Sequence, residues 1–103
     1  MTKTLKNLQQ QVDEVVEKLG GYWPPFAMLA SIMEEVGELS REVNALEGIK
    51  VKKKEEKVNS IGDELADLLF SLLCMANFYQ VNLSESFSDA IDKYLTRDKD
   101  RFT

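Results

Sequence analysis

The later half of the stretch from Glu55 to Gln80 is apolar on nearly every side, and this constrains the fold more than any other feature of the 103-residue chain. Val58, Ile61, Leu65, Leu68, Leu69 and Leu72 recur at steps of three and four, the spacing of a helix face that points inward. A helix that is apolar all round must be buried all round. In a domain this small, the cover comes from the other helices or from a partner subunit, so a homodimer or homotetramer is expected.

Three further segments carry the helical period. Leu5, Leu8, Val12, Val15, Val16 and Leu19 form one face, which Gly20 and Gly21 end. Tyr22-Trp23-Pro24-Pro25 cannot continue that helix, but Pro25 suits the first turn of the next, where its missing N–H costs nothing. The second helix carries a heptad-like seam of Leu29, Ile32, Val36, Leu39, Val43 and Leu46 and is expected to stop at Gly48. The charged run KVKKKEEK that follows reads as a solvated loop or the exposed start of the third helix. Asn82 or Ser84 can cap a fourth helix, with Phe87, Ala90, Ile91, Tyr94 and Leu95 as its inner face. With no strand-like alternation and no repeat, the expected fold is all-α, a four-helix bundle-like arrangement with short connections, forming one domain over residues 1–103.

Charge and cysteine usage narrow the function. The formal net charge of -5 repels a polyanion, so a nucleic acid polymer is an unfavoured partner. The single cysteine, Cys74, lies in an apolar stretch and reads as a buried thiol in a reducing cytoplasm. No signal-peptide pattern is visible, and Asp67, Ser71 and Asn77 interrupt the longest apolar run, so no membrane span is expected.

The chemistry lies in two acidic pairs. Glu35 and Glu38 are three apart on the second helix, and Glu64 and Asp67 are three apart on the third, so each pair occupies neighbouring points of one helix face. Any one of these acids alone reads as solvated surface, or, for Asp67, as the partner of Arg41, Lys93 or Arg97 across the bundle. Two such pairs on adjacent helices, one inside an apolar run, point instead to a shared cation, because an ionised carboxylate among apolar neighbours is costly unless it is compensated. With no His and no available Cys, four carboxylates make a hard oxygen site suited to Mg2+ or Mn2+ and unsuited to zinc or a di-iron centre. An open Mg2+ site of this kind suggests phosphate chemistry, in which the proton acceptor is a carboxylate such as Glu34 or Glu38, or a metal-bound hydroxide.

The Glu-Glu-x-x-Glu pattern at Glu34, Glu35 and Glu38, followed by Glu-x-x-Asp at Glu64 and Asp67, resembles the all-α MazG nucleotide pyrophosphohydrolases. The likeness runs through EEVGELSREV and GDELADLLF in particular. It implies Mg2+-dependent cleavage of nucleoside triphosphates to a monophosphate and pyrophosphate, in a housecleaning role against non-standard or surplus nucleotides. By motif position it makes Glu35, Glu38, Glu64 and Asp67 metal ligands and Glu34 an auxiliary acid. It also suggests Lys93 and Arg97 for the phosphates, although cations near a helix C-terminus are favoured by the helix dipole anyway. Trp23 is placed to stack on a base, its competing use being core packing. Certain relatives carry two such domains in tandem, whereas this sequence contains one.

A non-enzymatic helical module, binding nucleotide or a partner helix through the seam of the second helix and the apolar third, is the competing expectation.

Overall fold

The computed structural model describes residues 2–47 and 54–97, with side chains described for 2–47 and 60–97. Gly48, the stop expected for the second helix, and residues 50–53 of the charged run lie outside the described residues, as does the side chain of Val58. Among the described residues the structure is wholly helical: α1 (Leu5–Lys18), α2 (Pro25–Leu46), α3 (Lys54–Phe78) and α4 (Leu83–Thr96).

Local chemistry sets most helix ends. Thr4 opens α1 with a reciprocal cap: its hydroxyl accepts from the Asn7 N–H at 3.1 Å, and the Asn7 side chain accepts from the Thr4 N–H at 3.1 Å. At the other end Gly21 N–H reaches back to the Val16 carbonyl (2.9 Å) and Gly20 N–H to that of Glu17 (3.3 Å), the two bonds of a Schellman turn. Both glycines have φ above +100°, which explains why a glycine pair ends this helix. Pro25 takes the first position of α2, as expected. The α3 terminus repeats the Schellman pattern, with Val81 N–H to Ala76 carbonyl (2.8 Å) and Gln80 N–H to Asn77 carbonyl (3.0 Å). Here Gln80, at φ 57°, occupies the left-handed position that glycine usually fills. Asn82 caps α4 by accepting from the Glu85 N–H.

Helices α2 and α3 form the main antiparallel pair, α1 packs on α3, and α4 packs chiefly on α1. Val12, Val16 and Leu73 form the centre of the core, flanked by Leu5, Leu8, Tyr22, Cys74 and Leu83. The buried apolar set is otherwise small, adding Met28, Ala45 and Ala76. The radius of gyration is 16.4 Å, against about 13 Å for a compact domain of this length.

Expectations about the packing faces of three helices are corrected: on α2, Leu29, Val36 and Val43 of the expected seam are exposed. On α3, Leu65, Leu69 and Leu72 are exposed rather than covered, Leu65 by half. On α4, Phe87 (60%), Ile91, Tyr94 and Leu95 (65%) face outward. The physical reason is the placement of α4 on α1, which leaves none of the described helices to lie over these faces.

Candidate active site

The site is built on the α2–α3 pair. Ser31 and Ser71 lie 3.4 Å apart across the two helices and mark the register. One turn along α2 from Ser31 stands Glu35, and one turn back along α3 from Ser71 stands Asp67, so these two acids face each other on the next rung. In the opposite direction the rung holds Met28 and Cys74. All six line a single cavity of about 420 Å³, whose other walls include Tyr22, Trp23 and Phe70. The cavity is therefore acidic at one end and apolar and aromatic at the other.

At the acidic end, carboxylate oxygens of Glu35, Glu64 and Asp67 all lie within 4.8 Å of one another. Glu35 and Glu64 are half-buried and Asp67 is exposed, and the Glu64 Oε2 is buried and has no hydrogen-bond partner. Burial raises the pKa of this carboxyl, and a hydrogen bond with Glu35 and the charges of Glu35, Asp67 and Glu38 push it in the same direction. Among the described residues, no Lys or Arg lines the cavity. A buried, orphaned oxygen facing two further carboxylates, with no cation in the cavity wall, fits a hard divalent cation supplied from outside the chain.

Asp67 had been expected to carry the desolvation cost because of its apolar neighbours in sequence. It is exposed, and that cost falls on Glu64. Asp67 lies on the open face of α3 toward the cavity, whereas Glu64, one turn earlier, is tucked against Glu35.

The remaining candidates are placed less centrally. Glu38 stands one turn beyond Glu35 and holds Arg41 at 3.5 Å, so Arg41 pairs there. Its charge still reaches Glu64. Glu34 is exposed and outside the cavity wall. Trp23 lines the cavity while 64% exposed, so it is not a core residue. Lys93 and Arg97 lie exposed at the end of α4, outside the cavity wall, with the Lys93 ammonium 5.2 Å from the Tyr94 ring centroid.

Sequence reasoning did not single out Tyr22, Gln9 or Asn77, which are joined by hydrogen bonds behind the aromatic end of the cavity. Asn77 and Ser71 did appear as polar interruptions of an apolar run. That was the available signal, since a polar side chain kept in such a place needs partners.

Comparison with known proteins bears directly on this site. Residues 24–102, which contain both acidic pairs, match the model of the MazG nucleotide pyrophosphohydrolase domain. The chain belongs to the MazG family. It is accordingly an enzyme, a nucleotide pyrophosphohydrolase acting on acid anhydrides, and not the non-enzymatic module. Among MazG relatives, the uncharacterized protein YpjD of Bacillus subtilis (strain 168) is 44% identical over 102 residues, which cover 98% of this chain and 92% of YpjD. A crystal structure of the Bacillus-conserved MazG protein, a nucleotide pyrophosphohydrolase, superposes with TM-score 0.78 at 41% identity, covering 96% of this chain and 97% of the other. That of the putative pyrophosphatase YpjD from Bacillus subtilis gives TM-score 0.83 at 40% identity, with 93% and 99% covered. The MazG match begins at Pro24, so α1, which supplies Val16 to the cavity, and its C-cap Leu19, which also lines it, precede the match.

Proposed function

We propose that this enzyme hydrolyses nucleoside triphosphates, non-standard or deoxy forms among them, to a nucleoside monophosphate and pyrophosphate, with Mg2+ as the working cation and Mn2+ as a substitute. The observation that carries this reading is the cluster of Glu35, Glu64 and Asp67, of which Glu35 and Asp67 line one end of a cavity whose other end is aromatic. A polyphosphate with its cation matches the first end, and a nucleoside matches the second.

Glu35, Glu64 and Asp67 would hold the cation, with Glu38 joining them on release of Arg41. When bound, the cation neutralises the polyphosphate and polarises the phosphorus under attack. A water molecule adds its oxygen to one phosphorus of the α–β anhydride, a carboxylate accepts the proton, and the bridging oxygen leaves with the other phosphoryl group. Glu38, one turn along α2 from Glu35, is the proton acceptor, and Glu34, exposed, is an auxiliary on the solvent side. Trp23 covers the nucleoside. Lys93 and Arg97 lie on α4 away from this cavity, and their contact with phosphates would be made to a neighbouring subunit's substrate or after substrate draws the helices together.

The exposed faces of α3 and α4 support a homodimer or homotetramer. No described helix is long and apolar enough to cross a membrane, and a lone, partly buried cysteine suits the reducing cytoplasm.

The test is release of pyrophosphate and of inorganic phosphate from a panel of ordinary, deoxy and damaged nucleoside triphosphates, with Mg2+ or with chelator. Pyrophosphate that appears only with metal supports the reading. Asp67→Asn should lower kcat by at least about a hundredfold, the scale on which a lost electrostatic contact to the transition state is felt. Inorganic phosphate as the sole product, or an Asp67→Asn enzyme as fast as the parent, would sink it.

A further inference from the structure

Behind the aromatic end of the cavity, a set of polar side chains joins three helices to the segment between α1 and α2. Gln9 donates to the Asn77 Oδ1 and to the Val81 carbonyl, both at 2.9 Å, and its own Oε1 accepts from the Leu83 N–H at 3.1 Å. Asn77 donates back to the Gln9 carbonyl at 2.8 Å and to the Tyr22 hydroxyl at 2.9 Å. Tyr22 in turn donates to the Asp13 carboxylate. The amide of Asn77 is thus engaged by partners on both of its polar atoms, and the Tyr22 hydroxyl is used as acceptor and as donor.

The consequence reaches the cavity, because the other side of Tyr22 is part of its wall. The Tyr22 ring packs against the Val12, Val16 and Leu73 cluster, and Tyr22 and Trp23 both line the cavity beside Gly21. Gly20 and Gly21, both at positive φ, leave the helix abruptly, so the segment they start owes its position to what holds Tyr22. A side chain bonded at its tip and packed along its ring has one orientation, and Trp23 follows it directly in the chain.

We propose that Asn77 and Asp13 are positioning residues that act through Tyr22 to set the nucleoside end of the cavity, and so tune affinity for the base without acting on the phosphates. This rests on the reading that the cavity takes a nucleoside triphosphate. The acidic end is held by the α2–α3 pair, and Tyr22 and Asp13 lie on neither helix, so a change at Tyr22 perturbs the nucleoside end alone. The phenol of Tyr22 is pushed up to about 12 by burial and by its bond to Asp13, which keeps it a donor throughout the working pH range.

The experiment compares the parent enzyme with Tyr22→Phe and Asn77→Ala. It measures kcat and KM for the four common deoxynucleoside triphosphates, and inhibition by inorganic tripolyphosphate, which has no base. Both variants should raise KM by about threefold to tenfold, the worth of one lost hydrogen bond, with tripolyphosphate inhibition unchanged. Asn77→Ala also removes the brace to Gln9, so Tyr22→Phe, which keeps the ring in the core and the Gln9–Asn77 bonds, is the deciding variant. An unchanged KM for Tyr22→Phe, or an equal loss of tripolyphosphate inhibition, overturns the proposal. Should the parent release no pyrophosphate, the functional reading fails on that result alone. Quenching of Trp23, the chain's single tryptophan, by deoxynucleoside monophosphates then decides the positioning role, supported by weaker binding in Tyr22→Phe and overturned by equal binding.

Discussion

Glu64 and Tyr22 show how differently two ionisable side chains are treated within one small site. Glu64 is drawn toward its protonated form by burial, by its hydrogen bond with Glu35 and by three neighbouring carboxylates. In the metal-free protein its folded-state pKa is raised above the unfolded value, so the folded state binds more protons between the two. The contribution of Glu64 to stability without metal is therefore fully present below the ordinary glutamate value of 4.5 and is lost as pH rises through the raised folded value. Urea unfolding of chelator-treated protein across the acidic range should show this decline, and Glu64→Gln should flatten it. Adding Mg2+ at neutral pH should restore stability to the parent and do less for the variant. Tyr22 follows the same sign in another window: its folded pKa of about 12 lies above the ordinary 10.0, so stability is lost as pH rises between them. Absorbance of tyrosinate should reveal one tyrosine that resists titration, and Tyr22→Phe should remove that resistant component.

At the scale of the helices, the termini explain the lengths better than the interiors do. Helix α3 ends on Gln80 in the left-handed region, a conformation that costs a side-chain-bearing residue about 1 kcal/mol or more and a glycine very little. Gln80→Gly should stabilise the protein by about 0.5–1 kcal/mol once the added chain entropy of glycine is subtracted, read as a rise in the denaturation midpoint at unchanged slope. At the other end of the chain Thr4→Ala removes one half of the reciprocal cap of α1. It should cost about 1 kcal/mol by the same measurement. The α1 cap was not anticipated from sequence because Asn7 stands where the usual glutamate or glutamine of a capping box would be.

The whole molecule is a thin core carrying a large apolar exterior. Helix α4 leans on α1 and leaves Phe87 and Leu95 outside, while the outer flank of α3 stays open. Exposure of this kind is what a partner surface looks like before association. The protein should sediment as a dimer or tetramer, with a Tm that rises with concentration. Replacing both Phe87 and Leu95 by Asp should shift it toward monomer, measured by equilibrium sedimentation, and lower the Tm. An unaltered mass in the double variant would place the association surface elsewhere.

The sequence by itself determined the helical class, the four segments, the glycine stop of α1 and the proline start of α2. Each of these depends on the identities of neighbouring residues within a turn or two, and the spacing of apolar positions records it directly. It also pointed to Glu35, Glu38, Glu64 and Asp67 as one group, because an i, i+3 pair fixes a helix face, and the structure brings the carboxylates of Glu35, Glu64 and Asp67 together while Glu38 pairs with Arg41. Only the tertiary structure decided which carboxylate carries the desolvation cost, since burial depends on how deeply one helix seats against the other, and a rotation of a few tens of degrees exchanges Glu64 for Asp67. The tertiary structure likewise decided that α4 rests on α1, and that Gln9, Asn77, Tyr22 and Asp13 meet behind the cavity. The Gln9–Asn77 bond joins residues 68 positions apart and the Gln9–Leu83 bond residues 74 apart, and a hydrogen bond between such distant residues leaves no period in the sequence.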